Sequence, residues 1–175
     1  MSEPIRVLHV DDDRAFLALS VRAMERQEGI EVSTEADATA VLGRLDDEAV
    51  DCVVSDYDMP ATTGLELLAA VRECDDELPF VLFTGKGSEE IASEAISAGV
   101  TDYIRKQAGL GQFTVLVNRI ERAVEQRRTA EQLRTEKRLR ERILAATPVG
   151  IVVHGAPLFD DEGGVDGAVI TFEVA

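Results

Sequence analysis

The chain has 175 residues, 45% apolar and 30% charged, which is enough for one well-buried α/β domain of about 120 residues plus a short piece, and too little for two full domains. Acidic residues outnumber basic ones 34 to 18, and a net charge of −16 argues against direct nucleic-acid binding unless a local basic face overrides the total. Residues 1–118 carry −15, residues 119–143 carry +4 and residues 144–175 carry −5, so only the middle piece is basic.

Lysine is scarce, three residues against 15 arginines, and an acid-rich, lysine-poor surface suits a halophilic cytoplasm. The segment Met1 to Arg6 has no apolar signal core, and no run approaches the ~20 apolar residues that span a bilayer, so a cytoplasmic protein with no membrane partner is expected. Cys52 and Cys74 are too few and too separated for a metal site or a disulfide framework.

In chain order, the apolar runs Ile5 to Val10, Cys52 to Ser55, Phe80 to Thr84 and Tyr103 to Ile104 read as strands buried on both faces, with Ile30 and Val32 marking a weaker one. Between them lie helically spaced sets: Leu17, Val21 and Met24; Ala38, Val41, Leu42 and Leu45; Leu65, Leu68 and Val71; Ile91, Ala95 and Ala98. A fifth helix opens at Phe113 with Leu116, Val117, Ile120, Ala123 and Val124 on one face. The pattern predicts an α/β fold, a (βα)5 doubly wound parallel sheet of flavodoxin-like strand order 2-1-3-4-5.

From Arg119 to Ala146 there is no Gly or Pro, and Ala123, Val124, Ala130, Leu133, Leu139 and Ile143 continue at roughly helical intervals, which extends the last helix. Arg127 and Glu136 stand where a coiled coil wants leucine. A two-helix seam that forms a homodimer and a solvated single helix with i,i+4 ion pairs therefore both remain open. Pro148 ends the helix. The tail holds two β-like pieces, Val149 to His154 and Val165 to Val174, around a Gly- and Asp-rich turn at Asp160 to Gly164. The division expected is a domain over 1–124, a helical linker over 125–146 and a short β-rich tail over 147–175.

All strands of a parallel sheet end on one edge, where ligands bind. The residues there are Asp11, Asp12 and Asp13 after strand one, Asp56 after strand three, Thr84 after strand four and Lys106 after strand five. Asp13 also fits as the cap of the first helix. Strands one and three are neighbours in this order, so Asp11 or Asp12 should lie close to Asp56. Such carboxylates stay ionised together only around a cation, and an all-oxygen set suits Mg2+. A metal, a lysine, a hydroxyl and a carboxylate nucleophile at one point make a phosphoryl site, with Asp56 as acceptor. Pro60 and Gly64 constrain the loop that follows. His9 reads as a packed core residue, His154 as exposed, and Ser88 as the cap of the fourth helix.

The stretches Val7-Leu8-His9-Val10-Asp11-Asp12-Asp13, Ser55-Asp56-Tyr57-Asp58-Met59-Pro60 with Gly64, Phe83-Thr84-Gly85 and Asp102-Tyr103-Ile104-Arg105-Lys106 resemble the receiver domain of two-component response regulators, over roughly Ile5 to Val124. The resemblance implies a non-enzymatic phosphorelay protein with a sensor histidine kinase as partner. Asp11, Asp12, Asp56 and the backbone carbonyl of Asp58 would hold Mg2+, Asp56 would be phosphorylated, Thr84 and Lys106 would bind the phosphoryl oxygens, and Thr84 and Tyr103 would form the switch. Gln107 replaces the proline usual after the lysine, so a trans Lys106-Gln107 bond is expected. Thr63 stands where an aspartate often precedes Gly64, with little effect expected, and Asp58 and Lys86 are placed to pair across the site mouth. The tail resembles the two ends of a PAS sensor domain without its helical middle. Two rivals remain: a haloacid-dehalogenase-like phosphatase using the D-x-D of Asp56 and Asp58, and an interaction module that is never phosphorylated. No helix-turn-helix follows the domain.

Overall fold

The computed structural model describes residues 3–85, 87, 89–146, 151–159 and 165–174, with side chains to residue 142. Strands β1 (Ile5–Val10), β2 (Ile30–Glu35), β3 (Cys52–Ser55), β4 (Phe80–Thr84) and β5 (Asp102–Arg105) form one parallel sheet in the order β2-β1-β3-β4-β5. The helices are α1 (Arg14–Met24), α2 (Val41–Asp47), α3 (Gly64–Cys74), α4 (Glu89–Ser97) and α5 (Gly111–Ala146). This is the sheet and strand order expected from the sequence, including the long last helix.

Successive strand residues point to opposite faces, and here both faces are covered. Leu8, Val10, Val53, Phe80 and Leu82 pack with Val41 of α2, Leu67, Leu68 and Val71 of α3, and Ala95 of α4. Val7, Cys52, Val54, Val81 and Phe83 pack with Met24 of α1 and with Phe113, Leu116, Val117, Ile120 and Val124 of α5. Each Val, Leu, Ile, Phe or Met among them contributes roughly 1.5–3 kcal/mol when fully buried, so the uninterrupted apolar runs are what a two-sided core requires. The two edge strands are weaker in sequence because one flank lacks a partner strand: after Ile30, β2 is exposed at Glu31 and half-buried beyond, and β5 is half-buried to Ile104 and exposed at Arg105.

Three boundaries differ from the sequence reading. β5 extends beyond Tyr103 and Ile104 to the polar Asp102 and Arg105, because backbone pairing of Val81–Thr84 with 102–105 continues the strand where apolarity does not. The set expected as one second helix is a 3-10 turn at Ala38–Ala40, capped by the Asp37 carboxylate on the Thr39 N–H, followed by α2. In the tail, β6 (Ile151–Phe159) runs further than Val149 to His154 and pairs antiparallel with β7 (Val165–Val174). The turn at 160–164, residues 147–150, Lys86 and Ser88 lie outside the described residues, and so does the side chain of His154. The chain divides into two compact units, Met1–Ala130 and Glu131–Ala175. Among the described residues no helix is long and apolar enough to cross a membrane.

Within the first unit, charge attaches α5 to the sheet end opposite the strands' carboxyl termini. Asp51, just before β3, accepts from the Arg6 backbone N–H at 2.9 Å and from its Nε at 3.1 Å, and Arg128 reaches its other oxygen at 3.3 Å. Arg127 pairs with Asp75 at 2.8 Å, so this arginine, a flaw in any coiled-coil seam, serves the domain itself. Burial raises the Asp51 carboxyl, but the N–H and guanidinium of Arg6 and the guanidinium of Arg128 outweigh it and hold the group below the usual carboxylate range. A depressed acid contributes stability above its unfolded pKa of about 4 and loses it as pH falls through the folded value. We expect Asp51→Asn to cost about 1 kcal/mol at neutral pH. Between about pH 5 and 2 its melting temperature should fall less steeply than the parent's, and parallel curves in thermal melts would refute the assignment.

Candidate functional site

Backbone hydrogen bonding continues past the ends of the central strands and sets the site. The Asp56 N–H donates to the Val10 carbonyl at 2.9 Å and the Asp11 N–H donates to the Glu35 carbonyl at 3.1 Å, so both aspartates leave the sheet side by side. The Asp11 carboxylate accepts the Asp13 N–H at 2.9 Å, which turns the chain, and Asp13 in turn caps α1 by accepting from the Ala15 and Phe16 N–H groups. Asp13 is thus a cap, as its position before the helix suggested.

Carboxylate oxygens of Asp11, Asp12 and Asp56 lie within 4.8 Å of one another, Asp11 and Asp56 buried and Asp12 exposed. The Asp58 carboxylate is not part of this cluster; its backbone bridges to Thr63. Burial raises the Asp11 carboxyl and Asp56 adds to that, while the Lys106 ammonium and the Asp13 N–H work against it. Lys106 Nζ donates to Asp11 Oδ2 at 2.6 Å and stands 3.3 Å from Asp56 Oδ1. The second contact is charge attraction without bond geometry, since Asp56 Oδ1 is buried and accepts no hydrogen bond among the described residues. An orphaned buried carboxylate oxygen beside two further carboxylates is a donor set that fits Mg2+. Receiver-type Mg2+ ligation therefore has its acidic cluster here.

Thr84 closes β4 with its side chain buried, and its carbonyl accepts the Lys106 N–H at 2.8 Å, so the β4–β5 pairing carries Lys106 to the carboxylates. The Lys106-Gln107 bond is trans, as expected. Tyr103, one strand away, packs partly buried against the α3 and α4 side of the core. The pairing expected between Asp58 and Lys86 involves a residue outside those described.

The loop after Asp56 is held at several points. Met59 is buried, Ser55 Oγ donates to the Asp56 carbonyl at 2.8 Å, and the Gly64 N–H donates to the Tyr57 carbonyl at 2.8 Å. Thr63 caps α3 in a reciprocal box with Glu66, whose signal in the sequence is the spacing Thr-x-x-Glu. Two further residues tied to Lys106, one by its charge and one by contact, were not legible as site residues. His9 is buried, with Nδ1 2.7 Å from Ser20 Oγ, and its imidazole is pushed down to about 3 by burial and then by the Lys106 charge. Phe16 places its ring below the lysine ammonium.

The sequence pattern of the response regulator receiver domain matches residues 7–118. The chain belongs to this family. The chain is 33% identical over 149 residues to the C4-dicarboxylate transport transcriptional regulatory protein DctD of Rhizobium meliloti (strain 1021), a match covering 85% of this chain and 32% of that one. It is 31% identical over 112 residues to the transcriptional regulatory protein PrrA of Mycobacterium tuberculosis (strain ATCC 25618 / H37Rv), covering 64% of this chain and 48% of that protein. The chain therefore spans only about a third to a half of these curated relatives. Among solved structures, a CheY-like receiver domain protein from Methanospirillum hungatei JF-1 superposes with a TM-score of 0.65 at 26% identity, covering 73% of this chain and 99% of that one. The chemotaxis response regulator CheY4 of Vibrio cholerae gives 0.60 at 27% identity, covering 67% of this chain and 98% of that one. The receiver's own packing continues past the matched residues, since Ile120 and Val124 of α5 are buried.

The geometry at Gly64 is testable. A Cβ there would stand 2.3 Å from the Asp56 carbonyl oxygen and 2.7 Å from Leu82 Cδ1, the first of them backbone that cannot swing aside. Gly64→Ala should destabilise the domain by about 1–3 kcal/mol and disturb the Asp56 loop. A denaturant midpoint equal to the parent's would show that α3 shifts without cost.

Proposed function

We propose that the receiver accepts a phosphoryl group on Asp56 from a histidine of a sensor kinase. The observation that supports this most is the convergence of the Asp11, Asp12 and Asp56 carboxylates with the Lys106 ammonium at the strands' carboxyl edge. In the reaction a carboxylate oxygen of Asp56 attacks phosphorus, the phosphorus–nitrogen bond to the donor imidazole breaks, and its electron pair stays on that nitrogen, leaving an acyl phosphate. Asp11, Asp12, Asp56 and the Asp58 carbonyl would hold Mg2+, which when bound neutralises charge on the transferring group. Lys106 supplies a charged donor to a phosphoryl oxygen, and the Thr84 hydroxyl supplies another. Thr84 and Tyr103, on adjacent and paired strands, serve as the switch. The protein is a signal transducer, and its catalytic part is confined to its own phosphorylation and slow hydrolysis.

Incubation of the full chain with acetyl phosphate and Mg2+ should add one phosphate, detected by intact mass. The adduct should be absent in Asp56→Asn and strongly reduced by chelator. Phosphate retained in the Asp56→Asn variant would reassign the acceptor.

We also propose that residues 1–124 act as the receiver, that 125–146 form a helical relay, and that 147–175 form the output-side tail. Leu133 and Leu139 are exposed on α5, and burying them between two copies would remove that apolar surface from water. Light scattering should then find a dimer for the whole chain and a monomer for a chain ending at Ala130. A monomeric whole chain would favour the solvated helix.

A further inference from the structure

Lys106 has an aromatic floor. Its Nζ lies 4.4 Å from the centroid of the Phe16 ring and 6.0 Å from that of Phe83. Phe16 stands in the first turn of α1, its N–H held by the Asp13 carboxylate, and its ring meets those of His9, Phe83 and Phe113 at centroid separations of 6.0, 5.9 and 5.7 Å. The Phe16 backbone is therefore held by the helix cap and its ring by the cluster beneath it.

The lysine needs such a support. A four-carbon stem has many rotamers, and the two carboxylates pull its ammonium in different directions, Asp11 at 2.6 Å and Asp56 at 3.3 Å. Once a phosphoryl group occupies Asp56, the ammonium must serve a phosphoryl oxygen without drifting back to Asp11 alone. A hydrogen-bonding partner would bind it at one point, whereas a ring face attracts a cation over its whole area and lets it pivot. We propose that Phe16 is a positioning residue for phosphoryl transfer, acting through Lys106 as the surface on which the ammonium turns from Asp11 toward the phosphoryl group. The inference rests on Asp56 being the acceptor.

The test uses the full chain and two readouts. The first is the acetyl phosphate labelling rate at saturating Mg2+. Phe16→Leu should slow it about 3- to 10-fold, in line with the strength of a partly desolvated cation–ring contact, and Phe16→Trp should restore it. Lys106→Ala and the double variant Phe16→Leu/Lys106→Ala should be equally slow, because a residue acting through the lysine has nothing left to act on. The second readout needs no metal. The chain has only three lysines, Lys86, Lys106 and Lys137. In carbon-13 lysine spectra of the parent, the signal missing from Lys106→Ala should be displaced upfield by the ring, and it should return to the solvent position in Phe16→Leu. Should Phe16→Leu fail to fold, Phe16→Met takes its place. Losses that multiply in the double variant, an unslowed Phe16→Leu, or a parent Lys106 signal at the solvent position would each overturn the inference alone. A parent that takes up no phosphate would overturn the Asp56 reading together with it.

Discussion

Buried carboxylates repel one another, and the interior of this domain brings two of them, with a third at the surface, to within a few ångströms at the edge of its sheet. The Lys106 ammonium offsets part of that repulsion and, among the described residues, leaves a carboxylate oxygen of Asp56 without a hydrogen bond. Such an arrangement is costly for a metal-free fold and well suited to a site that receives a cation and a phosphoryl group. The surrounding structure can be understood as what holds these like charges together: the ladder bonds to the Val10 and Glu35 carbonyls, the turn in which the Asp11 carboxylate accepts the Asp13 N–H, and the close approach of Gly64 to the Asp56 carbonyl.

The rest of the domain supplies rigidity at a distance. The two apolar layers grip the central strands from both faces, so their ends cannot drift apart to relieve the repulsion. β4 and β5 deliver Lys106 through the bond from its N–H to the Thr84 carbonyl. At the opposite end of the strands, Arg6, Asp51 and Arg128 bind β1, the start of β3 and α5 into one charged contact, and Arg127 adds a second through Asp75. α5 is thereby tied to the sheet both by its apolar stripe and by charge beyond it.

Family membership and geometry bear on different parts of the function. Membership makes the domain a receiver, and the convergence of side chains supports the particular acceptor and metal ligands. The relatives extend well beyond the matched region.

The chain by itself determined the element order, the parallel sheet and its strand order, and the four strand ends that carry Asp11, Asp12, Asp56, Thr84 and Lys106. These are legible because a two-sided core writes continuous apolar runs, and because a parallel sheet puts every strand's carboxyl end on one edge. Edge-strand limits were less legible, since Asp102 and Arg105 join β5 through backbone pairing that side-chain polarity does not report. Only the tertiary structure decided that Phe16 lies beneath Lys106 and that His9 feels its charge, about 90 residues away in sequence, and that Arg127 and Arg128 pair with Asp75 and Asp51. The physical reason is common to all four residues: periodicity tells which face of an element is buried, but the partner across the core or at the end of the sheet is chosen by packing between elements that no local pattern encodes.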